Sequence, residues 1–182
     1  MRNAIAAYAI LIPMVLAAIL VSAHSGADVS GSAQCSASSF HVLGGTILLE
    51  AGKYQPALKE FQEAVKLDPG SVVAYIQLAD AYQGLNKHKE AIEACDKGIS
   101  IEPSACIYTT RGFSYGQLGD LTAQMRDYDL GIKTEPSVGS TYAYRARAFE
   151  KQGNLEAAKQ DREKAKSLGY RPGTFDQSQL KQ

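Results

Sequence analysis

The sequence predicts an all-α solenoid built from stacked helix–turn–helix pairs, and three observations predict it. Proline recurs at Pro69, Pro103 and Pro136, each behind an acidic residue: Asp68, Glu102 and Glu135. The segments leading into those prolines align as YQPALKEFQEAVKLDP, HKEAIEACDKGISIEP and LTAQMRDYDLGIKTEP. A fourth copy, LEAAKQDREKAKSLGY, stands in the same frame, with Tyr170 where proline is expected. A second break falls inside each copy, at Gly52, Asn86, Gly119 and Gly153. A period near 34 residues marks helix pairs that bury their apolar faces only by stacking.

Residues 1–23 differ in kind. They carry one charge, Arg2, before an apolar run from Ala4 to Val21 and the small residues Val21-Ser22-Ala23. This is the pattern of a secretory signal with a cut after Ala23 or Ala27. The run is also nearly long enough to span a bilayer, and Pro13 is tolerated there. The segment is therefore read as a signal peptide or an N-terminal membrane anchor, with a buried helix as the remaining reading. The first two export the rest of the chain, to the periplasm or the cell exterior. Residues 24–37, small and polar, read as a flexible leader.

Helical patterning occupies residues 38–171, with copies at about 38–71, 72–104, 105–138 and 139–171. Proline restricts the residue before it and lacks an N–H, so each Asp/Glu-Pro ends a helix. Ser71, Ser104 and Ser137 follow as N-caps. Gly52, Asn86, Gly119 and Gly153 supply left-handed corners between the two helices of a pair. Eight helices result: about 39–51 and 55–67, 72–85 and 88–101, 105–118 and 121–132, 139–152 and 155–168. Residues 172–182 form a tail in which Thr174-x-x-Gln177 can open a short capping helix, with Phe175 and Leu180 covering apolar surface.

Composition excludes several functions. Lys+Arg and Asp+Glu are both 19, and no basic run suggests nucleic acid. Cys35, Cys95 and Cys106 are too few for a disulfide framework. A Cys95–Cys106 bridge is doubtful in geometry. Cys106, near a helix start, is the more reactive candidate, while Cys95 reads as a buried filler. The three histidines have no metal-ligand spacing, and His88, between two lysines, reads as a solvated turn residue. Gly52-Lys53 lacks the earlier glycine of a phosphate loop. No catalytic constellation, metal site or cofactor site is expected, and the chain is expected not to be an enzyme.

The repeat resembles the tetratricopeptide repeat family. Its pattern stands in copy two as Tyr75, Leu78-Ala79, Tyr82, Ala91, Cys95, Gly98 and Pro103. Copy three has Tyr108, Arg111-Gly112, Tyr115, Gln124, Tyr128, Gly131 and Pro136. Copy one (His41, Gly44-Gly45, Leu48, Ala57, Phe61, Ala64) and copy four (Tyr142, Arg145-Ala146, Phe149, Ala158, Arg162, Ala165) follow more loosely. Small residues let the second helix lie against the first, and large ones fill the wedge between pairs. On this reading Tyr82→Ala or Tyr115→Ala costs about 3–5 kcal/mol. Gln124, in an alanine position, predicts a rotated or loosely packed helix. Arg162, in an aromatic one, suits a polar terminal repeat.

The resemblance implies a right-handed superhelix whose first helices line a concave groove for a peptide or helix of a partner protein. Carried over, the groove positions are Val42, Thr46, Leu49, Val73, Ile76, Gln77, Asp80, Gln83, Thr109, Thr110, Phe113, Tyr144, Arg147 and Glu150, with Ala143 beside them. Relatives that grip acidic chaperone tails use a clamp of Lys, Asn, Asn, Lys and Arg. Val42, Thr46, Gln77, Cys106 and Thr110 stand in those places, none charged, so that clamp is absent. The expected function is a protein-interaction scaffold. Its alternatives are a self-associating structural protein or an accessory repeat domain of an enzyme complex. No nucleic acid partner is expected, and contact with a membrane only through an uncleaved N-terminal segment.

Overall fold

Short, regularly placed breaks cut the chain into helices of similar length. The computed structural model describes residues 30–171, and their side chains from residue 37. Its elements are α1 (Ser30–Glu50), α2 (Tyr54–Leu67), α3 (Val72–Gly84), α4 (His88–Ile101), α5 (Ala105–Gln117), α6 (Leu121–Thr134), α7 (Gly139–Lys151) and α8 (Leu155–Ser167). No strand occurs among the described residues. The helices form four antiparallel pairs in an all-α, right-handed superhelical solenoid. The signal or anchor and the capping tail fall within residues 1–29 and 172–182, outside the described residues. Among the described residues no helix is long and apolar enough to cross a membrane.

The corners obey the local rule. Asn86 (φ 57°), Gly52 (70°), Gly119 (82°) and Gly153 (78°) all adopt the left-handed conformation. Ser71 and Ser104 cap α3 and α5 by accepting from the backbone N–H of Ala74 and Ile107. Ser137 does not cap α7, correcting the expectation. That helix begins at Gly139 with Val138 as its cap residue, which leaves Ser137 one position too early. A second difference lies at the N-terminal side, where α1 starts at Ser30, inside the stretch read as a leader. Ser38 anchors this helix by donating to the Ala64 carbonyl at 3.1 Å. With no proline between, extending a formed helix backward adds one hydrogen bond per residue fixed.

Each helix packs on its chain neighbours, and the first helices also touch one another: α1 on α3, α3 on α5, α5 on α7. No comparably extensive contact joins α2, α4, α6 and α8. The first helices therefore lie closer together than the second ones, and the stack curves with α1, α3, α5 and α7 on its inner face. Ala57, Ala64, Ala91 and Ala158 are fully buried at the helix crossings, and Phe61 and Tyr128 fill the wedges between them. A Cβ at Gly45 would lie 2.4 Å from the Phe61 ring, so that approach needs glycine. Tyr82 and Tyr115 are only half-buried, so the expected 3–5 kcal/mol for full burial does not apply to them.

The helix carrying Gln124 is not loosely packed. Gln124 is buried and its amide donates to the Tyr128 hydroxyl at 3.2 Å. Gly116 makes the room: a Cβ there would stand 2.1 Å from Gln124 Nε2.

Copies three and four hold a feature the sequence pattern did not reveal. Arg111, on α5, binds Asp127 of α6 through two parallel hydrogen bonds of 2.7 and 2.9 Å. Its remaining nitrogen reaches Asp96 of α4 at 2.6 Å. Arg145, on α7, repeats the arrangement with Asp161 of α8 (2.7 and 2.8 Å) and Asp129 of α6 (2.7 Å). Each guanidinium also sits near two rings of its own helix, Tyr108 and Tyr115 for Arg111, Tyr142 and Phe149 for Arg145. Desolvation alone would lower the pKa of Arg111; its two carboxylate partners outweigh that and hold it above the usual value. Each cluster ties three helices from two successive pairs.

Candidate partner-binding groove

The inner face is a continuous concave surface, and its residues fall into three groups. The first is a satisfied polar floor. Thr46 donates to the Val42 carbonyl at 2.8 Å and lies 3.3 Å from Gln77 Oε1, joining α1 to α3. Gln83 Nε2 donates to the Thr110 carbonyl at 2.7 Å and to Ser114 Oγ at 2.9 Å, joining α3 to α5. These bonds hold one first helix against the next.

The second group is apolar and aromatic. Val73 is 58% exposed and open to a ligand. Leu49 and Ile76 spend part of their surface on the core around Phe61 and Tyr75. Farther along, Phe113 meets Tyr144 edge-on at 6.1 Å, and Tyr144 meets Tyr128 at 6.4 Å. His88 abuts the other side of Phe113 at 6.4 Å. His88 is thus not the solvated turn residue expected. It is half-buried, its Nδ1 has no hydrogen-bond partner among the described residues, and its pKa is lowered by desolvation, against a smaller opposing effect of Glu90.

The third group is charged. Arg147 lies over the Tyr144 ring at 5.6 Å, and Glu150 pairs with Arg162. A cavity of about 630 Å³ opens beside them, lined by Ala143, Ala146, Arg147, Glu150, Arg162 and Tyr170. Asp80 stands nearer the centre, on α3. It lies deep in the array yet keeps part of its surface open to the groove, and desolvation pushes its pKa up to about 7. Its charge in turn raises the pKa values of Tyr144, Cys106 and Cys95, in each case second or third to their own desolvation.

Thr109 does not belong to this surface. It is buried, donates to the Ala105 carbonyl at 2.7 Å and contacts the Thr141 hydroxyl at 3.0 Å. One residue turns a helix by about 100°, so Thr110 faces the groove and Thr109 the interface between α5 and α7. Ala143 is likewise buried. Cys106 is accessible, but its pKa is raised by desolvation and then by Glu135 and Asp80, the reverse of the acidified thiol expected at a helix start. Cys95 is buried and both thiols are free. Among the described residues no group of three or more His, Cys, Asp or Glu is placed to hold a metal ion. A second cavity, of about 690 Å³, lies away from the groove along α6, lined by Leu121, Met125, Asp129 and Lys133.

The tetratricopeptide repeat family model matches residues 48–105. The Hsp70-Hsp90 organising protein of Plasmodium falciparum is 32% identical over 96 residues, covering 51% of this chain and 37% of that protein. Tetratricopeptide repeat protein 33 of Xenopus laevis is 27% identical over 94 residues, 51% of this chain and 36% of its own length. The chain thus spans little more than a third of these relatives. Among solved structures, MamA is similar with a TM-score of 0.61 at 22% identity, over 72% of this chain and 78% of that one. The first such domain of RPAP3, bound to the HSP90 peptide SRMEEVD, has a TM-score of 0.55 at 22% identity, over 74% and 95%.

Proposed function

We propose that this chain, which belongs to the tetratricopeptide repeat family, is a non-enzymatic scaffold that holds a peptide or helix of a partner protein in its concave groove. One observation carries the reading. The first helices form a single inner surface on which Val73, Phe113 and Tyr144 offer apolar and aromatic contact above a floor cross-linked by hydrogen bonds between successive first helices. Such a surface gains from apolar burial without breaking floor contacts, at about 25 cal/mol per Å² before ordering costs. Phe113, central and aromatic, is the expected anchor. The peptide held by the RPAP3 domain is acidic, but no basic clamp stands here, so the partner is of another kind.

We place the scaffold outside the cytoplasm, on the apolar run of residues 1–23. Intact-mass measurement on native protein is expected to find that segment removed. A full-length chain in the membrane fraction would indicate the anchor, and a full-length soluble chain would contradict export.

The groove itself is tested with substitutions at exposed residues, which leave folding nearly unchanged. Val73→Asp is expected to weaken capture of the partner from envelope extract at least tenfold. Leu155→Asp, at a helix start 66% exposed, is expected to leave it intact. The opposite pair of results rejects the groove.

A further inference from the structure

The cavity between α7 and α8 has the place in the fourth repeat that α7 itself fills in the third. One repeat earlier, the counterparts of Ala143, Arg147, Arg162 and Ala165 are Thr109, Phe113, Tyr128 and Gly131. Those residues seat α7: Thr109 and Gly131 meet Thr141, and Phe113 and Tyr128 meet Tyr144. The cavity, about 630 Å³, is thus the seat that a further first helix would take. Its lining differs in chemistry. Arg147 and Arg162 stand where the third repeat has two aromatic rings, and Lys166 stands where it has Ile132. With Arg171, four cations line the cavity against one acid, Glu150, which pairs with Arg162. Lys166 and Arg171 make no ion pair with any described residue. A terminal repeat needs a polar outer face, but mixed charge serves that end. Here Lys159, Arg162 and Lys166 recur along one side of α8, and no acid shares that stripe. Glu156 and Glu163 stand roughly a quarter-turn away. A concave wall of one sign concentrates its field in the cavity.

We propose that the end of the array is a docking site for an acidic helix of a partner protein, stacked where a fifth first helix would lie. Its Asp and Glu side chains face Arg147, Lys166 and Arg171, and its small apolar side lies against Ala143, Ala146 and Ala165. This goes beyond the groove reading, since the occupant covers the last repeat and not the Val73–Phe113 surface. Charge decides among the occupants. Residues 172–182 carry one acid, Asp176, against one base, Lys181, and so bring no net charge. A second copy stacking through its α1 would bring a single acid, Glu50, at the end of the helix. Neither offsets the cations. A helix with several carboxylates does, and guanidinium–carboxylate pairs fix its register.

The test selects phage-displayed helical peptides on the full chain, with an alanine stripe and flanking positions randomised among Glu, Gln and Lys. The wild-type chain is expected to enrich Glu at more than one flanking position. Binding of one enriched peptide should fall about tenfold or more in the double variant Lys166→Glu/Arg171→Glu, and should weaken with added salt. Both residues are exposed, so the variant keeps its fold, which thermal melts verify. Selection on that variant should shift the enrichment from Glu to Lys. No preference for Glu, or equal binding by the double variant, overturns the proposal and leaves the groove reading standing. Val73→Asp is expected to bind the enriched peptide as the wild type does; a loss there would put the peptide in the groove and overturn the end site. A gain of about tenfold on Phe175→Asp would show that residues 172–182 cover the cavity, and would likewise overturn it.

Discussion

The position that Leu78 fills in the second repeat is Arg111 in the third and Arg145 in the fourth, and the position of Ala94 is Asp127 and Asp161. In the second repeat a buried leucine packs over a buried alanine. In the later two a guanidinium grips a buried carboxylate and borrows another from the preceding repeat. One backbone frame thus accepts either an apolar or an ionic filling at the same crossing. What the frame requires is that the volume be filled and the polar groups be satisfied; the chemistry is open. The ionic version adds direction, because a two-bond guanidinium–carboxylate pair fixes both distance and angle. The apolar version offers more tolerance.

The sharpest way to break this comparison is to unpair one cluster. Asp127→Ala leaves Arg111 buried against a single exposed carboxylate, and a loss of about 3–5 kcal/mol is expected in chemical denaturation. Combining it with Arg111→Leu recreates the Leu78–Ala94 crossing in the third repeat. That double variant is expected to recover most of the loss, since well-packed apolar replacements of buried pairs are often neutral or stabilising. A double variant no better than Asp127→Ala would show that the ionic filling is required there.

Asp80 is the opposite case, a half-buried acid that accepts no hydrogen bond or ion pair from the described residues. Its pKa is raised from 3.8 to about 7. Between those values the folded chain keeps a proton that the unfolded chain has lost, so this residue makes stability fall as pH rises, levelling off above about 7. Asp80→Asn should therefore raise Tm near pH 8, by roughly 2–4 °C for each kcal/mol recovered, and change it little near pH 4. A lower Tm at both pH values would mean that the carboxylate has a cationic partner in the folded chain.

The smallest expected effects compare the helix caps. Ser104→Ala should cost about 1 kcal/mol and Ser137→Ala less than about 0.5, because only the first hydroxyl meets a helix N–H. Equal losses would move the start of α7 back toward the serine.

These contrasts mark what is legible in the residues alone. Corners such as Asn86 and Gly119 were readable because the left-handed conformation is a local property of one residue type. The end of a helix before Pro69 was readable for the same kind of reason. The start of α1 was not, since nothing local in residues 30–37 forbids or demands a helix. Neighbouring threonines differ only by rotation about the helix axis, so the residue pattern alone does not tell that Thr109, unlike Thr110, is buried. The Arg–Asp clusters left a faint trace in the matched spacing of Arg111 with Arg145 and of Asp127 with Asp161. Each pairing spans two helices, however, and a basic residue at one position reads equally well as solvated surface. Asp80 is legible as a groove position, but how far the neighbouring helices desolvate it is a property of the whole stack.

The measurement that bears most directly on the scaffold reading is amide hydrogen exchange on the full chain, with and without its captured partner. Slower exchange is expected along α3, α5 and α7, strongest around Val73, Asp80 and Phe113. Slowing confined to α4, α6 and α8, or centred on the cavity beside Leu121 and Met125, would place the partner on the outer face and contradict it.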